Sequence, residues 1–126
     1  IVTTGEYFDA TGMVNAVGPA QRNVVIFTAK VSKKNIAKYQ ELMDSEDGLT
    51  VTRNADGCTH LEAFYNEETQ TYFIYEYWDS YEQYETYLDW RFNEDPSKLV
   101  AKAIPLVIGG QKGMQAHFNN TYYKFF

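Results

Sequence analysis

The sequence predicts an α+β domain with the element order β-α-β-β-α-β, an antiparallel sheet with its helices on one face. Two alternating, aromatic-rich segments, 58–66 and 71–78, flank a short turn at 66–69 and predict a β-hairpin. The second segment leads directly into a helix capped by Ser80. An apolar strand and an amphipathic helix precede the hairpin, and one more strand follows the second helix.

The composition describes a small acidic domain rich in tyrosine. At 126 residues the chain has enough length for one hydrophobic core and little room for a second. Its 11 tyrosines combine apolar area with a polar tip, which suits pockets and interfaces. A net charge of −6 opposes nucleic-acid binding, and no apolar run approaches the roughly 20 residues that span a bilayer. We therefore expect a soluble protein with no nucleic-acid partner and no membrane insertion.

Cysteine and histidine give no sign of a disulfide or a metal site. Cys58 is the only cysteine, and no Cys and His residues stand at zinc-ligand spacing. The chain begins at Ile1, which fits a processed protein, a trimmed tag or a leader that precedes the given sequence. The compartment stays open between the cytoplasm and, after processing, an organelle lumen or extracytoplasmic space.

Residues 1–22 differ in character from the rest of the chain. They hold three glycines and one proline and show no sustained hydrophobic period. We interpret them as an N-terminal arm that wraps a surface, pairs at a sheet edge or docks onto a larger complex. The globular domain is predicted over 23–126.

The first strand and helix follow from hydrophobic spacing. Residues 23–31 are β-branched and apolar, which predicts a largely buried strand. Ser32 is a candidate cap for a helix over 33–45, whose apolar residues recur at three- and four-residue spacing. Gly48 is predicted to end this helix, and 49–57 is predicted as a polar connection with a short extended piece.

Neither face of the first hairpin strand is purely apolar, whereas both faces of the second are predicted to be buried. Alternation places Cys58, His60, Glu62 and Phe64 on one face of the first strand, and Tyr72, Ile74, Glu76 and Trp78 on one face of the second. A sheet that is apolar on two sides needs two covers, and in a short chain the second cover is most simply another copy. This pattern predicts a homodimer.

The second helix brings aromatic side chains and an arginine to the sheet. Ser80 and Gln83 form a predicted capping box, and the helix should end near Asn93. Its inward stripe holds Tyr81, Tyr84, Leu88 and Arg91, flanked by Tyr87 and Trp90. This stripe is a candidate cavity wall.

The C-terminal region is predicted to add a short helix and a last strand. Asp95 and Pro96 should open the helix, and Pro105 should stop it. Gly109 and Gly110 then turn the chain into a strand over 113–125.

Several of these motifs resemble the antibiotic biosynthesis monooxygenase (ABM) family. They are Gly57-Cys58 opening a strand, Tyr-Glu-Tyr-Trp-Asp-Ser at 75–80 joining strand to helix, and Tyr-Leu-Asp-Trp-Arg at 87–91. The resemblance covers about 23–122. Within it, the Tyr-Leu-Asp-Trp-Arg helix is similar to that of a bacterial subgroup of quinol monooxygenases. The resemblance implies a ferredoxin-like fold that pairs into a dimeric α/β barrel. The family includes cofactor-independent quinol and polyketide oxygenases, haem-degrading enzymes, lactone isomerases and proteins of no known activity.

The haem-degrading branch is disfavoured by its own motif. That branch places an Asn on the first strand, a Trp at the end of the third strand and an iron-binding His on the next helix. Trp78 matches, but the first strand offers Phe27 or Thr28 and the second helix has no histidine. Haem degradation is therefore disfavoured, and the resemblance to the cofactor-independent members implies no cofactor.

A quinol oxygenase needs a base, a dry aromatic pocket and a donor for the developing oxyanion. His60 is the candidate base because its unperturbed pKa suits neutral pH, and Glu76 is the second acid-base candidate. The predicted catalytic residues are His60, Glu76 and Trp78, and the predicted substrate-binding residues are Phe64, Tyr72, Tyr84, Arg91 and His117. Each has a structural alternative. The histidines could be hydrogen-bonded across the sheet or at the dimer interface, the aromatics could be core, and Glu62 or Glu76 could pair with Arg91 or Arg53.

The leading hypothesis is a cofactor-independent monooxygenase acting on a small aromatic, quinol or polyphenol substrate. Two alternatives stay open. One is a non-catalytic subunit that binds a hydrophobic ligand or joins a larger assembly. The other is a lactone isomerase in which His60 or His117 moves a proton without oxygen.

Overall fold

One four-stranded antiparallel sheet, in the order β3-β4-β2-β5, carries the domain. The computed structural model describes the backbone of residues 5–6, 20–122 and 124–125 and the side-chain surroundings of 23–118. The strands are β1 (Gly5–Glu6), β2 (Ala20–Lys30), β3 (Cys58–Asn66), β4 (Thr71–Trp78), β5 (Met114–Tyr122) and β6 (Lys124–Phe125). The helices are α1 (Ile36–Asp44), α2 (Leu49–Arg53), α3 (Tyr81–Asn93) and α4 (Leu99–Ala103), with 3₁₀ turns at Ile104–Leu106 and Gly110–Gly113.

The element order β2-α1-β3-β4-α3-β5 is the predicted ferredoxin-like order. β2 and β4 are the central strands, and their antiparallel register sets Val25 opposite Glu76 and Phe27 opposite Ile74. On the other side of β2, Val25 lies opposite Phe118 of β5. A separate two-stranded pairing joins β1 to β6.

The helices pack on one face of this sheet and enclose two clusters. The larger cluster consists of Ala29, Val31, Tyr39, Met43, Tyr72, Ile74, Leu99, Ala103 and Val107. The smaller cluster consists of Val25, Cys58, Trp78 and Tyr84. Burial of this apolar area is the main stabilising contribution to the fold.

A β-bulge at Thr59 changes which side chains of β3 face the helices. Cys58 lies opposite Trp78, but the next paired residue, His60, lies opposite Tyr77, so Thr59 is the extra residue. Leu61 then lies opposite Glu76. The side chains after the bulge therefore point to the faces opposite those that simple alternation from Cys58 predicts. The prediction that Cys58 shares a face with His60, Glu62 and Phe64 is therefore wrong: Cys58 faces the helices and the other three face away.

The sheet face away from the helices, called the open face, is rich in aromatic and apolar side chains. Register and alternation place Ile26, Phe73, Tyr75 and Tyr77 there, together with Phe64 of β3. Phe64 is 46% exposed and stacks on Phe73 with ring centroids 4.8 Å apart. No helix in the described ranges covers this face, on which His60 and Glu62 of β3 also lie. The second copy that would cover it stays a prediction.

The region between β2 and β3 differs from the prediction. α1 begins at Ile36, three residues later than expected, and its cap position is Asn35 rather than Ser32. Residues 49–53 form a helix instead of a polar connection. Thr52 of this helix is buried and Leu49 packs against the larger cluster, so tertiary packing overrides the extended preference of a β-branched run.

The start of α3 follows the prediction closely. Ser80 Oγ accepts a hydrogen bond from the Gln83 amide at 3.1 Å, which satisfies one free N–H of the first turn. The Gln83 side chain also contacts the cap residue, because its Oε1 accepts a hydrogen bond from Ser80 Oγ at 3.0 Å. Its Nε2 donates to Asp56 Oδ2 at 3.3 Å.

The C-terminal elements are shorter than expected. α4 begins at Leu99 after Lys98, whose backbone lies in the left-handed region at φ 55° and ψ 40°. Pro105 lies in the 3₁₀ turn that follows α4. β2 extends back to Ala20, into the range predicted as the arm. Within the predicted 1–22 arm, the structure describes only the backbone of 5–6 and 20–22, and the other arm residues lie outside the described part of the chain.

Candidate active site between the sheet and the helices

An inner cavity of about 90 Å³ lies between β4 and the helices. Its wall is largely aliphatic and aromatic, which keeps water away from the polar groups it contains. The lining residues are Phe27, Tyr39, Met43, Leu49, Thr52, Ile74, Glu76, Tyr84, Tyr87, Leu88, Arg91, Phe92, Leu99, Val100, Ala103 and Met114. Three of the predicted site residues, Glu76, Tyr84 and Arg91, thus share one cavity.

Glu76 is the acid of this cavity. It is 5% exposed on a central strand, and Oε1 accepts a hydrogen bond of 2.8 Å from Trp78 Nε1. Burial raises the pKa of Glu76 to about 7, while the bond from Trp78 acts in the opposite direction. Among the described residues Glu76 forms no salt bridge. The group can therefore exchange a proton near neutral pH.

Tyrosines border this carboxyl group. The Trp78 ring lies 5.4 Å from the Tyr84 ring and 5.4 Å from the Tyr87 ring. Burial raises the pKa of both phenols, and the negative charge of Glu76 adds to the effect. Both phenols therefore stay protonated at neutral pH and can donate hydrogen bonds.

Arg91 is committed to other protein groups. Its Nη1 lies 2.9 Å from Asp95 Oδ2, its Nη2 donates to the Gly48 carbonyl at 2.8 Å, and its Nε donates to the Tyr87 hydroxyl at 2.9 Å. Burial raises the pKa of Asp95, but hydrogen bonds from Ser97 and the Arg91 charge outweigh it and hold that pKa below its ordinary value. The predicted partners of Arg91, Glu62 and Glu76, are wrong; the partner is Asp95.

The structure does not bring His60 to Glu76 and Trp78. His60 lies on the open face, with Nε2 3.2 Å from Glu62 Oε2 and its ring stacked 4.9 Å from Tyr77. The bulge at Thr59 is the physical reason, because it turns His60 away from the helices. His60 and Glu62 therefore lie on the opposite side of the sheet from Glu76 and Trp78.

The remaining predicted residues lie outside the inner cavity. Phe64 lies on the open face. His117 of β5 lies opposite Ile26 of β2, so it also lies on the open face. Tyr72 faces the helices but belongs to the larger cluster, edge-on to Tyr39 at 4.9 Å. Cys58 is buried and burial raises the pKa of its thiol, in keeping with a small core residue.

Comparison with solved structures identifies the fold. No protein-family model and no curated protein matches the chain. A conserved protein from Methanosarcina mazei Go1 has a TM-score of 0.64 at 11% identity, over 81% of this chain and 94% of that one. A Caulobacter crescentus CB15 protein assigned as an antibiotic biosynthesis monooxygenase has a TM-score of 0.63 at 16% identity, over 81% of this chain and 91% of that one. The chain has the ABM fold.

Another protein with the ABM fold has been solved with a ligand. It is a monooxygenase from Streptomyces coelicolor in complex with nanaomycin D, with a TM-score of 0.62 at 17% identity over 79% of this chain and 87% of that one. At such identities the likeness establishes the ABM fold, and the chemistry of this chain depends on its own side chains.

Within the ABM fold, sequence reasoning missed part of the cavity wall. Leu49 and Thr52 come from α2, which was predicted as a connection, although their three-residue spacing fits one helix face. Phe92 follows Leu88 by four residues on α3, and this spacing was a usable signal. In the described part of the chain, His, Cys, Asp and Glu side chains form no group of three that could hold a metal ion. Nor does any helix in that part have the length and apolar character to cross a membrane.

Proposed function

We propose that the protein is a monooxygenase that oxidises a small phenolic substrate of the hydroquinone class in the inner cavity, with Glu76 as the base. One observation carries the proposal. Glu76 is a buried carboxyl group on an apolar cavity wall, with a pKa of about 7 and no cationic partner among the described residues. Such a group can accept a phenolic proton at neutral pH.

The reaction balances without an added reductant. Glu76 accepts a hydroxyl proton from the hydroquinone, and the resulting anion gives electrons to dioxygen. The substrate gains one oxygen atom and loses two hydrogen atoms, forming a hydroxyquinone. The second oxygen atom leaves as water, so the substrate supplies all four electrons that reduce dioxygen. The phenol of Tyr84 is the proposed donor to developing negative charge, because the Tyr87 hydroxyl already bonds with Thr52 and Arg91.

The fold supports this chemical class without specifying the substrate. The Streptomyces coelicolor neighbour is a monooxygenase with a bound small molecule, and the present chain has a cavity between sheet and helices. Trp78 contributes to the proposed site by donating a hydrogen bond to the Glu76 carboxylate. Arg91 contributes by donating a hydrogen bond to the Tyr87 hydroxyl. We assign Arg91 a positioning role because its donors already contact protein acceptors.

Oxygen uptake with methylhydroquinone tests the proposal. Glu76→Gln should lower kcat/KM at least about a hundredfold, the usual scale for loss of a general base. Glu62→Gln is the matched control because Glu62 lies on the same sheet but on the open face; it should retain the wild-type rate. Equal rates in the two variants would contradict the assignment of Glu76.

The histidines remain candidate bases in the same assay. His60→Ala and His117→Ala should retain activity if the inner cavity is the site, because both residues lie on the open face. A loss of activity confined to His60→Ala would move the site to the open face. Isomerisation of an unsaturated lactone, supplied in place of methylhydroquinone and without oxygen uptake, would indicate the lactone isomerase reaction instead.

A non-catalytic ABM-fold subunit is the second candidate, and the cavity volume favours it. The inner cavity of about 90 Å³ is well below the roughly 300 to 1,000 Å³ of common ligand pockets. Uptake no greater than autoxidation across a panel of hydroquinones and polyphenols would support this candidate. Docking through the N-terminal arm would then be tested by comparing the given chain with one that starts at Ala20, the first residue of β2.

The open face is proposed as the contact with a second copy of this chain. Its centre is aromatic and apolar, with Ile26, Tyr75 and Phe73 on adjacent positions of two strands. A self-complementary sheet face fits a two-fold dimer, in which the same patch serves both protomers. The inner cavity lies on the opposite side of the sheet, so each protomer would retain its own cavity.

A further inference from the structure

We infer that the inner cavity opens at Phe92 and that its substrate is an anionic aromatic, a hydroquinone bearing a carboxylate whose charge binds Lys98. This inference rests on the proposed function, because it names the substrate class for the same cavity. It follows from where the cavity meets solvent, from what lies outside that point and from the charges found there.

Phe92 marks the mouth of the cavity. It is 51% exposed, whereas every other residue of the lining, all of which the structure describes, is buried or partly buried. Phe92 lies in the last turn of α3, so its side chain can change rotamer without moving the helix. Solvent and ligand therefore meet the cavity at this ring.

A second depression, called the outer pocket, lies directly outside the mouth. It measures about 210 Å³ and is lined by Arg91, Phe92, Asn93, Asp95, Lys98, Val100, Ala101 and Ile104. Arg91, Phe92 and Val100 also line the inner cavity, so the two spaces share a wall. The inner cavity of about 90 Å³ has room for one aromatic ring at most. A substituted ring would therefore extend past Phe92 into the outer pocket.

The outer pocket carries one uncompensated positive charge. Of its charged residues, Arg91 and Asp95 neutralise each other at 2.9 Å. Lys98 is exposed and forms no salt bridge with any residue in the described part of the chain. The net charge of −6 means that the protein as a whole repels anions. The Lys98 ammonium creates a local positive potential that attracts an anionic group.

The backbone fixes the position of Lys98. Its φ of 55° is in the left-handed region, which a non-glycine residue adopts at some cost. The Lys98 amide donates to the Asp95 carbonyl at 3.1 Å, and the Lys98 carbonyl accepts from Lys102 at 3.0 Å. Asp95 also holds Arg91 in the shared wall. The lysine is thus anchored to the same turn that forms the cavity wall.

The two ends of the site differ in chemistry. Glu76 lines the inner cavity only, and Lys98 lines the outer pocket only. A hydroquinone carboxylate would place a hydroxyl group at Glu76 and its carboxylate at Lys98. The reverse orientation would put two carboxylates together at Glu76, which like-charge repulsion disfavours. The arrangement therefore selects both the ligand class and its orientation.

Anaerobic binding separates this inference from catalysis. Titration calorimetry would compare 2,5-dihydroxybenzoate with neutral methylhydroquinone, which share the hydroquinone ring. We expect 2,5-dihydroxybenzoate to bind about fivefold more tightly, the effect of one favourable, partly exposed ion pair. Lys98→Gln should remove this preference and leave methylhydroquinone affinity unchanged. Lys102→Gln is the matched control, since Lys102 lies four residues further along, within α4, and does not line the outer pocket.

The mouth is tested by the rate of ligand association. Phe92→Ala should accelerate association of methylhydroquinone in stopped-flow tryptophan fluorescence, and Phe92→Trp should slow it. Ile108→Ala is the control, because Ile108 is also 51% exposed but lies away from both spaces. Equal affinity of the wild type for the two ligands, or equal effects of the Lys98 and Lys102 variants, would overturn the inference. Binding selectivity without oxygen uptake would refute the proposed function alone, and uptake without selectivity would refute this inference alone.

Discussion

Trp78 and Glu76, two residues apart on the same face of β4, are joined by a hydrogen bond of 2.8 Å from the indole Nε1 to the carboxylate Oε1. Alternation along the strand sets both side chains toward the helices, so the contact follows directly from strand geometry. The indole stabilises the charged form of a carboxylate that burial would otherwise keep protonated. This pair therefore sets the pH range in which Glu76 can act as a base.

Trp78→Phe should move that range upward. Removing the Nε1 donor leaves burial unopposed, so the pKa of Glu76 rises above its value of about 7 and the acidic limb of the pH-rate profile shifts to higher pH. The measurement is kcat/KM for oxygen uptake across neutral pH. Trp90→Phe is the matched control, because Trp90 is the other tryptophan and does not line the inner cavity. An unshifted limb in Trp78→Phe would show that Glu76 does not control the rate.

Glu76→Gln should stabilise the protein above neutral pH. Because burial raises the pKa of Glu76 from 4.5 to about 7, the folded state holds this proton more tightly than the unfolded state, and stability falls as pH rises between those values. Glutamine removes the buried charge, so the variant should gain up to about 3 kcal/mol near pH 8 and almost nothing near pH 4. Urea unfolding followed by circular dichroism measures both. A variant less stable than the wild type near pH 8 would contradict the assigned burial cost.

Asp95→Ala should destabilise the fold strongly. The change leaves the Arg91 guanidinium buried without its counter-ion, and breaking such a pair costs about 3 to 5 kcal/mol. Glu94→Ala changes the adjacent exposed acid and should stay within about 0.5 kcal/mol of the wild type. Chemical denaturation midpoints compare the two variants. Equal midpoints would mean that the Arg91 contacts to Gly48 and Tyr87 suffice without Asp95.

Tyr75→Glu should dissociate the proposed dimer. Tyr75 lies near the middle of the open face, edge-on to Phe64 at 5.5 Å. In a two-fold interface the change introduces two carboxylates, whose desolvation and repulsion should weaken association at least about a hundredfold. Light scattering over a concentration series gives the mass. Thr86→Glu, on the exposed side of α3, is the control and should leave the mass unchanged. A monomeric wild type would refute the dimer.

Sequence reasoning recovered the elements whose signals are local. β3 and β4 have the predicted bounds because alternating aromatic residues and a short turn specify a hairpin without distant contacts. α3 begins at its predicted cap because Ser80 and Gln83 meet within one turn. Glu76, Tyr84 and Arg91 line one cavity because strand alternation and helix spacing both direct these side chains inward.

The errors concern features that depend on distant contacts. α2 forms because Leu49 and Thr52 pack inward, and the Thr52 hydroxyl hydrogen-bonds with Tyr87, 35 residues later. Arg91 binds Asp95 rather than Glu76 because α3 ends in a turn that returns Asp95 beneath it. The placement of His60 failed because a bulge needs only one unpaired residue and leaves no distinctive mark in the sequence.

Because of the bulge at Thr59, the β3 residues that face the helices have even numbers before Thr59 and odd numbers after it. Before it an even-numbered residue, Cys58, faces the helices; after it the odd-numbered residues Leu61 and Tyr65 do so. Loss of the Thr59 codon would restore an uninterrupted ladder and leave each later side chain on its present face. Loss of a codon at Ala63 would instead turn over one part of the strand relative to the other. Deletion of Thr59 would therefore shorten β3 by one residue while His60 stays on the open face and Leu61 stays on the face toward the helices.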